Sequence, residues 1–421
     1  MRSLTSAMLG LLLVVCTLSQ MCTGYSVLTH EEIVDLSWDD QIKPLLLKKY
    51  PGTSQEDLKT AHGYAYGGCL IQDIGYYPFG ARFVSDLTHY VRSGDLILNL
   101  LSESQDLNEY AFALGAMAHY AADNLGHKAV NRAVPMLFPK IRKEFGDVAT
   151  YADNAASHIK AEFAFDVAQV AEGNYAPDSY HHFIGFEVSE AELDRAFAKT
   201  YVIGLSSLIT NKSLALGTYR FAVSSLIPAM TKAAWSMKKN ELMKSQPGIT
   251  QRKFVYNLSR ASYHKEWGRE YKKPGFRARL IVFLFRIIPK IGPFKAFAFR
   301  PPTPQTEKMF MESVNQTLDH YRALLAAHGQ GALKLPNENF DIGEPIKAGK
   351  YRLADDAYAT LLDKLHGKPV PAELRADILA FYSDLNAPFA TKKDPQAWQK
   401  VLQELDELKA AKPSESPDVS R

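Results

Sequence analysis

The chain has 421 residues, of which 46% are hydrophobic and 23% charged; this is enough for a sizeable buried core and excludes a mainly disordered protein. The formal charge of +3 is close to balanced, but residues 250–300 carry thirteen Lys or Arg against only Glu266 and Glu270. That excess leaves the rest of the chain acidic and points one region toward an anionic partner.

In chain order, Arg2, the apolar run from Leu11 to Val15 and the small-residue stretch Cys22-Thr23-Gly24 read as a secretory signal over residues 1–24. The mature protein is therefore expected to be exported: secreted, periplasmic or held at the cell envelope. A lipoprotein is the minor alternative, because Val15 and Met21 before Cys16 and Cys22 are larger than lipid attachment usually tolerates. Removal of that segment leaves Cys69 alone, which excludes an intrachain disulfide framework and leaves bound metal as a candidate staple. No later stretch is apolar for long enough to cross a bilayer as a helix.

Helical periodicity dominates the chain beyond residue 24 and no alternating strand series is present, so the fold is expected to be all-α. Thr53-x-x-Glu56 and Asp106-x-x-Glu109 read as capping signals before runs to Ile71 and Val130, and Pro135 and Pro139 as the end of the second. Further helices are expected over about 31–50, 82–92, 153–171, 190–210 and 217–244. Gln246-Pro247-Gly248 marks the end of a catalytic region, 25–245. A basic apolar connecting segment, 246–305, comes next, punctuated by Lys273-Pro274-Gly275 and Arg300-Pro301-Pro302. Shorter amphipathic helices over 307–328, 355–365, 372–385 and 395–409 make a smaller helical C-terminal region, 306–421, with a disordered tail.

The strongest chemical signal is the stripe His119-x-x-x-Asp123-x-x-x-His127. Steps of four place the three on one helix face about 6 Å apart, so neighbours can share a metal, the outer pair cannot, and the middle carboxylate can bridge two ions. A second helix offers His158 and Glu162 at the same spacing, with Asp166 one turn on. Imidazole and carboxylate are ordinary zinc ligands. A lone histidine on a helix is usually a core or surface residue with a satisfied hydrogen bond; it is the combination that favours metal. Gly126, Ala118, Ala121 and Ala122 suit close approach of other helices, which by itself means only tight packing. Asp73, His89 and His30 are weaker candidates upstream. If cleavage follows Gly24, Tyr25 gains an α-amine whose pKa near 8 lets it lose a proton to a metal, and its own carbonyl could close a chelate. His62 reads as a locally bonded helix histidine, and His181-His182 as a loop pair near the site mouth.

Taken together, Tyr25…His30, Asp73, His89, His119-x-x-x-Asp123-x-x-x-His127 and His158-x-x-x-Glu162 resemble the zinc-dependent phospholipase C family, over roughly residues 25–171. Their spacing is most similar to that of the catalytic domain of glycosylphosphatidylinositol-specific phospholipase D. The resemblance implies a multi-helix bundle like those of the phospholipases C and zinc nucleases, with three zinc ions per chain. It implies Asp73, His89, His119 and Asp123 at the first ion, His127, His158 and Glu162 at the second, and Tyr25, His30 and Asp123 at the third. The implied activity is phosphodiester hydrolysis of phospholipids, of C or D type, by metal-activated water, with Asp73 as a candidate proton acceptor. Two departures stand out: the bacterial phospholipases and fungal nucleases begin with tryptophan rather than tyrosine, and they leave five residues, not three, between the aspartate and the next histidine.

Two other functions compete. A single-strand zinc nuclease would need stacking aromatics, which Tyr76, Tyr77 and Phe79 could supply, although the resemblance favours lipid over nucleic acid. A non-enzymatic envelope module with structural zinc would have closed coordination. The segment 276–300 alternates aromatic and aliphatic residues with isolated cations, as in peripheral contact with an anionic membrane. The reading favoured for it is a buried connecting helix from Arg277 to Ile288, ended by Pro289, with its arginines snorkelling.

Overall fold

The computed structural model describes residues 25–172, 174–176, 178–231, 234 and 298–414. The expected signal, most of the basic apolar segment and the second half of the helix expected over 217–244 lie outside them. The fold is all-α.

Helix α1 (Val27–Ser37) runs through a π turn, Trp38–Ile42, into α2 (Lys43–Lys49). Helix α3 (Gln55–Gly68) begins one residue later than the expected signal: the Ser54 hydroxyl accepts the Asp57 amide while Asp57 accepts the Ser54 amide. A 3-10 turn, Ile71–Tyr76, leads to α4 (Arg82–Tyr90), and α5 (Ser93–Glu103) comes after it without having been expected. Helix α6 (Leu107–Leu137) is capped as expected, the Asp106 carboxylate accepting the amides of Asn108 and Glu109. It does not stop at Pro135. That proline has no N–H for the carbonyl of Asn131, and the Ala149 amide takes that carbonyl instead at 2.9 Å, so the last turn survives.

Next come α7 (Pro139–Phe145), α8 (Tyr151–Glu172, kinked at Asn154) and α9 (Asp178–Ile184). The single helix expected over 190–210 is split into α10 (Glu190–Tyr201) and α11 (Leu205–Leu208) by Val202, which adopts a left-handed φ of +62°. Helix α12 (Lys212–Phe221) is next in the chain. After residue 298 come α13 (Pro304–Gly329) and a small antiparallel hairpin, β1 (Glu338–Asn339) with β2 (Glu344–Pro345), then α14 (Arg352–Leu365), α15 (Ala372–Phe381) and α16 (Pro395–Ala410). Among the described residues no helix is long and apolar enough to cross a membrane.

Helix α6 is buried on nearly all sides, as its alanine-rich and apolar sequence requires. It packs chiefly between α3 and α13. The α3 crossing is close because glycines face backbone: a β-carbon on Gly115 would overlap the Ala65 carbonyl, and one on Gly68 would overlap the Phe112 carbonyl. On the α13 side, the Tyr321 hydroxyl donates to the Leu114 carbonyl at 2.8 Å. A single apolar core runs from α1 to α16, so the C-terminal helices share it with the N-terminal ones. Gly115→Ala is expected to force α3 and α6 apart and to lower stability by about 1–3 kcal/mol, the usual cost of overpacking. A lower urea midpoint at unchanged m-value is the readout.

Candidate metal centre

The α3–α6 crossing does more than fill space. It brings the Cys69 carbonyl at the end of α3 to 3.0 Å from His119 Nδ1, so that nitrogen donates and His119 Nε2 is left with its lone pair. His89 on α4 is set the same way by the Ser85 carbonyl, 2.8 Å from its Nδ1. The Ser85 hydroxyl meanwhile donates to the Gln72 carbonyl and accepts the Gly75 amide, clamping the 3-10 turn so that Asp73 faces His89. His158 is oriented in reverse: its Nε2 donates to Asn131 Oδ1 at 2.9 Å and its Nδ1 faces Glu162 Oε1 at 2.8 Å. Asp166, which is in register with that pair, is not part of the centre. It caps α1 from α8, accepting the Leu28 amide and the Thr29 hydroxyl, and so fixes His30 in the first turn.

Three groups of ligand-type atoms result, each with its atoms within 4.8 Å of one another: His30, His119 and Asp123; Asp73, His89 and His119; and His127, His158 and Glu162. They adjoin through Asp123. Its Oδ1 lies 3.4 Å from His30 Nε2, and its Oδ2 lies 3.4, 3.1 and 3.6 Å from Nε2 of His89, His119 and His127. Asp73 Oδ1 is 3.3 Å from His89 Nε2. The sequence-derived side chains His30, Asp73, His89, His119, Asp123, His127, His158 and Glu162 therefore share one region, every one of them buried. Tyr25 adjoins it too: its ring covers Gly126 and its hydroxyl donates to Ser313 on α13 at 2.8 Å.

These residues fit metal on their own geometry. Two ligands about 2.05 Å from a tetrahedral zinc stand about 3.4 Å apart, and the separations around Asp123 cluster there. Among the described residues both His30 nitrogens, both Asp73 oxygens, Nε2 of His89 and His119, both His127 nitrogens, His158 Nδ1 and Glu162 Oε1 lack a hydrogen-bond partner. Such orphaned buried atoms are costly unless something else binds them. Protons can take part of that role. Burial disfavours charge on His89 and His127, yet the surrounding carboxylates hold His89 well above its ordinary value and His127 at about 9. Burial pushes the Asp73 carboxyl up to about 6 against the pull of His119 and His89. Burial likewise opposes ionisation of Asp123, but its histidine neighbours hold it well below the usual carboxylate range. A cation would displace those protons.

Two histidines behave differently from the sequence reading. His62 reaches across the fold: its Nε2 is 2.9 Å from Asp35 Oδ1, across 27 residues, and its ring stacks on Trp38. His181 lies on helix α9, buried, with Nδ1 3.0 Å from Glu31 and Nε2 3.5 Å from Asp35. Burial opposes its charge, but Glu31 and Asp35 hold its proton well above the ordinary value. This cluster ties α1 to α3 and α9, and neither histidine belongs to the three groups. Of the aromatics considered for stacking, Tyr76 and Tyr77 are buried and Phe79 is exposed.

One carboxylate at the centre has no counterpart in the sequence reading. Asp341, in the loop between β1 and β2, places Oδ1 3.5 Å from His127 Nε2 and is fully buried. It lies 214 residues beyond His127 with no helical spacing to mark it. The available signal was a lone Asp-x-Gly inside a short polar loop.

Residues 29–211 match the family described as zinc dependent phospholipase C. The span contains all eight sequence-derived side chains of the centre and ends well before Asp341. No curated protein and no solved structure matches the chain.

Proposed function

We propose that the chain is a zinc-dependent phosphodiesterase that hydrolyses phospholipids, an exported enzyme whose mature amino terminus is Tyr25. The observation that carries this reading is the gathering of orphaned imidazole and carboxylate atoms around Asp123, within a segment that matches a zinc-dependent phospholipase family. Asp73, His89, His119 and Asp123 hold one zinc, and His127, His158 and Glu162 a second. His30 and Asp123, with the amine and carbonyl of Tyr25, hold a third. Zinc in these positions supplies the positive charge that neutralises a phosphodiester and lowers the pKa of an attacking water.

The remaining work falls to the chain. The carbonyls of Cys69 and Ser85 and the side-chain amide of Asn131 fix His119, His89 and His158 each in one tautomer, so the ligand nitrogen of these three needs no reorientation. Asp73, with both oxygens free of hydrogen bonds among the described residues, takes the proton released by water through the oxygen turned away from His89. Asp123 sets the spacing of the groups by touching four imidazoles at once.

The test is the zinc-loaded chain assayed side by side on phosphatidylcholine, phosphatidylinositol and single-stranded DNA. The expected result is lipid hydrolysis that stops on chelation and returns with zinc; diacylglycerol or phosphatidic acid as product reports which ester bond breaks. Cleavage of DNA alone, or an inert zinc-loaded chain, contradicts the proposal.

A further inference from the structure

Asp341 lies outside the three ligand sets. We infer that its carboxylate is a ligand of the cation held by His127, His158 and Glu162, so that this site takes a protein ligand from the C-terminal part of the chain. The inference rests on the metal-centre reading and extends it to a residue beyond the matched segment.

The carboxylate is presented as a ligand would be. Oδ2 accepts hydroxyl hydrogen bonds from Tyr90, at 2.7 Å, and from Tyr351, which fix the group's orientation. Oδ1 is left with no hydrogen-bond partner among the described residues, buried, 3.5 Å from His127 Nε2. That separation matches the spacing of the pairs around Asp123.

The loop is also built to deliver it. The Asn131 amide donates from Nδ2 to the Asp341 carbonyl at 2.7 Å while its Oδ1 accepts from His158 Nε2 at 2.9 Å, so one side chain aligns a ligand on α8 with the loop. The Asp341 amide donates to Asn339 Oδ1, and the Phe340 amide donates to the His89 carbonyl. Gly343 then turns the chain with φ +60° directly against α6, where a β-carbon would overlap the Asn124 carbonyl, one residue from Asp123. Only glycine meets both the conformation and the space at that position. The hairpin thus packs on the ligand helix at the point where Asp341 enters.

The chain beginning at Tyr25 is loaded with zinc, equilibrated against a chelator series and analysed for zinc per chain by mass spectrometry. Asp341→Asn keeps the shape but loses the anionic ligand. It is expected to release one ion of the wild-type complement at a chelator strength more than about 100-fold weaker than wild type requires, beyond the roughly 10–100-fold typical of a group that only orients a ligand. Asp377→Asn, which removes a carboxylate bonded to Tyr358 elsewhere in the C-terminal helices, should keep the full complement. Unchanged release from Asp341→Asn, or a shift within the orienting range with the complement kept, overturns the inference. A wild type that binds no zinc overturns the metal reading itself. Anomalous diffraction at the zinc edge from wild-type crystals needs no variant: an ion within about 2.3 Å of Asp341 Oδ1 supports the assignment. An ion held by His127, His158 and Glu162 with that oxygen beyond about 3 Å refutes it.

Discussion

Asp123→Asn is expected to lower phospholipid turnover by at least about 10³-fold, the upper range for loss of one preorganised electrostatic group, and to remove more than one zinc from the chain. The carboxylate approaches His30 through one oxygen and His89, His119 and His127 through the other. Asparagine matches its shape but carries no charge, and its nitrogen cannot coordinate. The isosteric change keeps the packing of position 123, buried in the middle of α6, while the two proposed zinc sites that include Asp123 lose their shared ligand. Turnover on phosphatidylcholine vesicles and zinc content, measured on the same preparation, check this. A variant within tenfold of wild type that holds its full zinc would show that Asp123 is not the bridge.

Removing the metal is expected to destabilise the whole chain rather than the centre alone. The proposed ligand side chains come from α1, the 3-10 turn, α4, α6 and α8, and all these elements share one core. A ligand at about 1,000 times its Kd stabilises by about 4 kcal/mol per site. Unfolding entropy is about 2.1 cal/mol/K per residue. For three sites in a chain of this length, chelation should lower Tm by on the order of 10–15 °C. Calorimetry with and without chelator is the measurement. A shift below about 2 °C would mean that the orphaned atoms at the centre are satisfied without metal.

Much of the centre was legible because it is written in local spacing. His119, Asp123 and His127 share a face by the geometry of the helix, and His158 and Glu162 repeat the arrangement one helix pair away. Asp73, His89 and His30 carry no such pattern. What gathers them is the Gly68–Gly115 crossing and the Ser85 clamp, which are tertiary, and only the family resemblance anticipated the set. Asp341 escaped both routes, because a hairpin loop has no periodicity and the residue lies outside the segment that the resemblance covers. The same limit explains Pro135. A proline ordinarily ends a helix, but the rescue of the Asn131 carbonyl by Ala149 depends on where a later loop folds. His62 and His181 read as local or loop residues because their partners, Asp35 and Glu31, lie far away in sequence on a helix buried on every side. Helical fold class was plain from periodicity, whereas boundaries shifted wherever a cap had a neighbour of similar chemistry, as Ser54 has in Thr53.

Zinc content of the purified chain processed to begin at Tyr25, determined by mass spectrometry after exhaustive dialysis, bears most directly on the claim that scattered histidines and carboxylates converge into one cation-binding pocket. Close to three zinc ions per chain is the predicted value. Less than one, from protein that is folded and was offered zinc, would contradict the account.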